Sequence, residues 1–111
     1  MSQKKYVHIL DEVQKMKPPE KGILSRTLYS DQHVKVVVFG FDAGEELSEH
    51  TSSLPAVLNF IKGEVELTLG GDRVDAKPGS WVYMTPKLPH QVLAKTPAVM
   101  LLTLIQSGSK K

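Results

Sequence analysis

At 111 residues and 12.3 kDa, with 41% hydrophobic and 23% charged residues, the chain suits one packed core and not two. The absence of cysteine excludes a disulfide scaffold, a thiol nucleophile, an iron–sulfur cluster and a thiolate zinc site. The net charge of +2 sits at the ends. Of 14 basic residues, five precede Ile23 and two, Lys110 and Lys111, finish the chain. Between Ile23 and Gln106, seven basic residues face nine acidic ones. With no clustered basic face and few aromatics, nucleic-acid binding is not expected.

Residues 1–22 form a first segment. Ile9, Leu10, Val13 and Met16 are spaced like one face of a short helix that Pro18 and Pro19 end, and a strand followed by a helical turn fits equally. This segment is expected to pack on, or extend, the body of the protein. No apolar block follows Lys4 and Lys5, and the longest apolar runs are too short to span a bilayer. A soluble cytoplasmic protein with no membrane partner is therefore expected.

From Ile23 onward the pattern changes to short β runs separated by turn residues. Residues 34–41 are β-branched and aromatic, and residues 56–61 form a second apolar run. Residues 64–69 alternate, with Val65, Leu67 and Leu69 on one face and Glu64, Glu66 and Thr68 on the other. Gly70-Gly71-Asp72 signals a tight hairpin returning through residues 73–76. Pro78-Gly79 makes the next turn, before a strand at residues 81–84. Pro86 and Pro89 precede a strand at residues 90–94, and residues 98–105 form the last strand. Residues 107–111 read as a polar tail. Eight or nine strands so closely spaced leave no room for crossover helices, so residues 23–106 predict an all-β sandwich or barrel.

Four histidines punctuate this pattern. His8, in the N-terminal segment, and His33, in a turn, read as solvated. His50 follows Gly44 after five intervening residues and precedes Thr51-Ser52, with Gly63 closing the stretch. His90 follows Pro78-Gly79-Ser80-Trp81 and then Pro86-Lys87-Leu88-Pro89. These two stretches resemble the two sequence motifs of the cupin superfamily. The resemblance implies a cupin-type double-stranded β-helix, a jelly-roll-like barrel, in which motif histidines and a glutamate point inward to hold a metal. His50 falls on the first histidine of that pattern and His90 on the third. The second histidine position is Ser52, and the glutamate position falls at Ala56 or, with one residue of slack, Val57. Half of the family's four-ligand set is absent, below the usual zinc or facial-triad iron requirement.

Strand parity indicates what else lines such a barrel. If His50 and His90 face inward, so do Ser52, Val92 and Ala94, with Leu58, Phe60, Met84 and Met100 contributing from other strands. The implied pocket is mostly apolar, with two imidazoles and a hydroxyl as polar handles, a composition suited to a small molecule. Two functions follow. One is a small-molecule-binding barrel with a degenerate two-histidine site and, at most, a weakly bound divalent metal on His50 and His90. The other is a metal-dependent enzyme of dioxygenase or isomerase type using the same histidines and a further ligand. Apolar strands with an exposed edge lead us to expect a homodimer, covered partly by the N-terminal segment and the residue 34–41 strand.

Overall fold

The computed structural model of the chain describes residues 5–106, so the residue 107–111 tail lies outside the described residues. One helical turn, α1 (Asp11–Gln14), precedes nine strands. These are β1 (Ile23–Ser30), β2 (Val34–Phe41), β3 (Glu46–His50), β4 (Ala56–Lys62), β5 (Val65–Leu69), β6 (Asp72–Ala76), β7 (Trp81–Met84), β8 (His90–Ala94) and β9 (Ala98–Ile105). They pair into a five-stranded sheet ordered β1-β2-β9-β4-β7 and a four-stranded sheet ordered β3-β8-β5-β6. Every pairing is antiparallel, giving the expected all-β, jelly-roll-like sandwich.

Alternation explains the core. Ala56, Leu58 and Phe60 of β4, Val65 and Leu67 of β5, and Val92 and Ala94 of β8 are all buried against one another between the sheets. Each is two residues from the next along its strand, as a pleated strand with one apolar face requires. The β5–β6 hairpin needs positive φ at both turn positions, and Gly70 and Gly71 supply 58° and 92°.

The N-terminal segment forms the short helical turn expected of it. Only four residues are helical, no side chain caps them, and of the four apolar positions only Met16 is buried. So short a helix gains little from propagation, and Pro18 and Pro19 stop it. Met16 instead packs on the outer face of the five-stranded sheet with Val38 and Val99. Gly40 makes room for this contact, since a Cβ there would stand 3.3 Å from Met16 Sδ and 3.4 Å from the Lys17 carbonyl oxygen.

The strand at residues 34–41, expected to help cover a homodimer contact, lies inside its sheet. β2 pairs with β1 on one side and β9 on the other, so it offers no open ladder edge to a second copy. The edges of the five-stranded sheet are β1 and β7. No helix among the described residues is long and apolar enough to cross a membrane.

Candidate functional site

β3 and β8 bring the two histidines together. His50 and His90 are direct partners in the ladder, two residues beyond Val92 on β8 but three beyond Leu47 on β3. The extra residue is a β-bulge. Strict alternation from an inward Leu47 would turn His50 to solvent, and the bulge restores it to the inner face. The imidazole centroids lie 4.2 Å apart with the rings inclined at 60°.

Hydrogen bonds fix both tautomers. His50 Nδ1 lies 2.7 Å from the Ser48 carbonyl oxygen, and His90 Nδ1 lies 2.9 Å from that of Leu88. A carbonyl only accepts, so each Nδ1 carries a proton and donates it. With Nδ1 so engaged, Nε2 is the nitrogen left free on each ring, the arrangement by which second partners prepare a histidine for a ligand. His90 is the buried polar residue of the described core, at 8% exposure, while His50 stands at the rim.

A cavity of about 200 Å³ opens over this pair, lined by Ser52, Leu54, Ala56, Met84, Thr85, Leu88, Leu102 and Leu104 beside the histidines. Beneath it lies a smaller chamber of about 60 Å³, bounded by the same two histidines and Met84 with Phe39, Leu47, Leu58, Val92, Met100 and Leu102. Two loops make the mouth. The Ser52 carbonyl accepts from Lys87 N–H at 2.7 Å, tying the loop after β3 to the loop that delivers His90. Lys87 holds a φ of 69°, a left-handed conformation uncommon for a non-glycine residue. Ser52 Oγ accepts from the Leu54 N–H at 3.1 Å, which leaves the hydroxyl proton for a ligand.

Of the eight pocket residues expected from sequence, His50, Ser52, Leu58, Met84, His90, Val92 and Met100 line one chamber or both. Phe60 does not. It is 2% exposed in the core beyond the inner chamber, because parity sets the face of a residue but not its height in the barrel. Leu54, Thr85 and Leu88 escaped sequence reasoning because they sit in loops, where no periodicity assigns a face. His8 and His33 are exposed, as expected.

The carboxylates stay away from the histidines. Glu46 pairs opposite Leu93, beyond Val92 from His90, and its carboxylate accepts from Gln91 Nε2 at 2.8 Å. Glu49 is exposed. Among the described residues no group of three or more His, Cys, Asp or Glu side chains converges. A hard divalent ion held by three histidines and a carboxylate does not fit this donor set. A larger concavity, about 640 Å³, is a more open groove between residues 5–9 and the β1–β2 hairpin, away from both motif histidines.

The family profile for the cupin domain matches residues 37–105. A search of curated proteins gives no significant match. Among solved structures, a conserved protein of unknown function from Streptococcus pyogenes is 26% identical, with a TM-score of 0.82 over 97% of this chain and 95% of that one. A cupin superfamily protein from Desulfitobacterium hafniense is 21% identical, with a TM-score of 0.81 over 90% of this chain and 92% of its own. A Cupin 2 conserved barrel domain protein from Leptotrichia buccalis is 28% identical, with a TM-score of 0.78 over 87% of this chain and 46% of its own. With motif histidines meeting inside a two-sheet barrel and most of the chain inside the profile match, this protein belongs to the cupin family.

Proposed function

We propose that this cupin is a binding module for a small, mostly apolar molecule that donates hydrogen bonds to the two histidines. The supporting observation is the His50–His90 pair itself, with centroids 4.2 Å apart and two Nε2 acceptors under a cavity of about 200 Å³. Apolar walls supply the binding energy, and the imidazoles and the Ser52 hydroxyl orient the ligand. The alternative, a metal-dependent dioxygenase or isomerase, needs a further ligand that no carboxylate or histidine among the described residues supplies. A divalent metal on His50 and His90 alone would be held weakly.

The test is a nuclear magnetic resonance titration with a panel of small amphipathic alcohols, amides and aromatic compounds. Binders should shift signals of Ser52, Leu54, His90 and Leu102 together, and Leu54→Trp, which fills the mouth, should abolish the shifts. Shifts confined to other surfaces, or undiminished in Leu54→Trp, would refute the reading.

The same reading includes a homodimer. Trp81 and Tyr83, on the edge strand β7, are 62% and 49% exposed and continue the outer face through Val57 and Leu101. Large exposed aromatics on a strand with one open ladder edge suit a self-complementary interface. Sedimentation at micromolar concentration should give a dimer, and Trp81→Lys should shift it to monomer. A monomeric wild type would dismiss the assembly.

A further inference from the structure

The wall around the histidines carries sulfur where a hard-metal site carries carboxylate. Met84 lines both chambers with His50 and His90, and Met100 lines the inner one. Every other lining residue of the inner chamber is apolar. Met84 stands on β7, opposite Ala56 of the five-stranded sheet, while the histidines stand on the facing four-stranded sheet. The cavity between the sheets is thus bounded by imidazole on one side and thioether on the other.

Three arguments set the ion such a site would take. First, the donors are neutral. The cost of bringing an ion out of water rises with the square of its charge, so a monovalent ion pays about a quarter of the divalent penalty in the same apolar cavity. Second, imidazole nitrogen with thioether sulfur is a soft set, which favours copper(I)-type ions over magnesium, manganese or iron(II). Third, the pair is bent. With each nitrogen about 2 Å from an ion, rings whose centroids lie 4.2 Å apart embrace it at an angle far from linear. That leaves one side for another donor.

We infer that His50, His90 and Met84 form a site for a soft monovalent cation of the copper(I) or silver(I) type, with His50 and His90 giving Nε2 and Met84 giving Sδ. The inference rests on the reading that the histidine pair is the working end of the cavity. It adds the ion that this end prefers and the residue that selects it.

The chain has no cysteine, so no thiol competes in a titration with silver(I). Silver(I) should bind the wild type one to one, at least a hundredfold more tightly than zinc(II) by competition with a chromophoric chelator. The volume-conserving Met84→Leu should weaken silver(I) at least tenfold and leave zinc(II) unchanged, while His90→Ala should lose both. In the wild type, silver(I) should also move the Met84 ε-methyl resonance together with the His50 and His90 ring signals, a readout that does not depend on a variant folding. Zinc(II) binding as tight as silver(I), an unmoved Met84 methyl, or full silver(I) affinity in Met84→Leu would each overturn the inference. Those results would leave organic-ligand binding blocked by Leu54→Trp untouched, so the two readings fail separately.

Discussion

At the end of the barrel marked by Phe41, Val65, Ala94 and Ala98, the strands close over side chains that solvent does not reach. At the opposite end, marked by Val34, Ala56 and Ile105, the same strands part around a cavity lined by two histidines. The closed end is held by packing together with loop hydrogen bonds, among them Gly44 N–H to the Ala94 carbonyl and Lys95 N–H to the Glu64 carbonyl. The open end is held by loop hydrogen bonds: Lys87 N–H to the Ser52 carbonyl, Gly70 N–H to the Pro89 carbonyl, and Ile105 N–H to the Pro55 carbonyl. One end of a small fold can therefore supply the stability that lets the other keep an unfilled space.

The sharpest contrast is between Phe60 and Leu54. Phe60→Ala removes a side chain 2% exposed and should destabilise the fold by about 3–5 kcal/mol in denaturant unfolding. Leu54, half-buried at the mouth, should cost about 1 kcal/mol or less on truncation to Ala. Equal costs would show that the cavity wall carries the stability we assign to the closed end. The same pair separates a core phenylalanine from a pocket phenylalanine, since Phe60→Ala should leave ligand signals at Leu102 in place.

Glycines repeat the contrast in backbone terms. Gly63, between β4 and β5, has a φ of 82°, and a Cβ there would overlap the Pro97 carbonyl oxygen and come within 2.8 Å of Ala98 Cα. Gly71, at the open end, has a φ of 92° and nothing within 4 Å of such a Cβ. Gly71→Ala should cost only the left-handed penalty, about 1–2 kcal/mol. Gly63→Ala adds overpacking of about 1–3 kcal/mol. Thermal unfolding that ranks the two variants the other way would break the picture of a tight end and a loose one.

A smaller effect is expected at Ser52. Ser52→Ala removes the oxygen that accepts from Leu54 N–H, a loss of about 1 kcal/mol. Amide exchange at Leu54 should quicken, while that of Leu67 and Val92 in the core should not. Uniform quickening would mean that the mouth and the core open as one unit.

The closed end was also the more legible in sequence. Val65 and Leu67 alternate with polar neighbours, and such a strand has one register in which its apolar face is buried. The open end was legible only where motif spacing stood in for periodicity, at His50 and His90. β3, Glu-Leu-Ser-Glu-His, is mostly exposed, so its sequence carries no period from which to read the bulge that turns His50 inward. Leu54 and Leu88 lie in loops, and their faces follow from hydrogen bonds made by Ser52 and Lys87 rather than from any pattern. The same limit applies to Phe60, which lines neither chamber: alternation does not tell a core layer from a cavity layer.

The smallest effect expected lies in the β1–β2 hairpin that flanks the open end. Asp31 Oδ2 accepts from the Tyr29 hydroxyl at 2.6 Å, and Oδ1 accepts from the N–H groups of Val34 and His33 at 2.9 and 2.7 Å. These bonds, the Tyr29 hydroxyl foremost and then the Val34 and His33 amides, hold the Asp31 carboxyl down to about 2 and raise the Tyr29 hydroxyl above its ordinary value. A carboxyl lowered by folding stabilises the fold fully above the unfolded value of about 3.9 and loses that contribution as pH falls through the folded value. The window runs from about pH 4 down to about pH 2. Asp31→Asn keeps one acceptor oxygen without the charge, so its stability should fall less steeply than that of the wild type across this window. The side-chain amide of Gln106 donates to the Asp31 carbonyl, and Gln106 N–H to that of His33, so the hairpin is bound to the end of β9 two residues beyond Leu104. Acid release of the turn should therefore appear in the Leu104 methyl signal at the cavity before it reaches Phe41 at the closed end. Simultaneous changes at Leu104 and Phe41 would show that the two ends are not held independently.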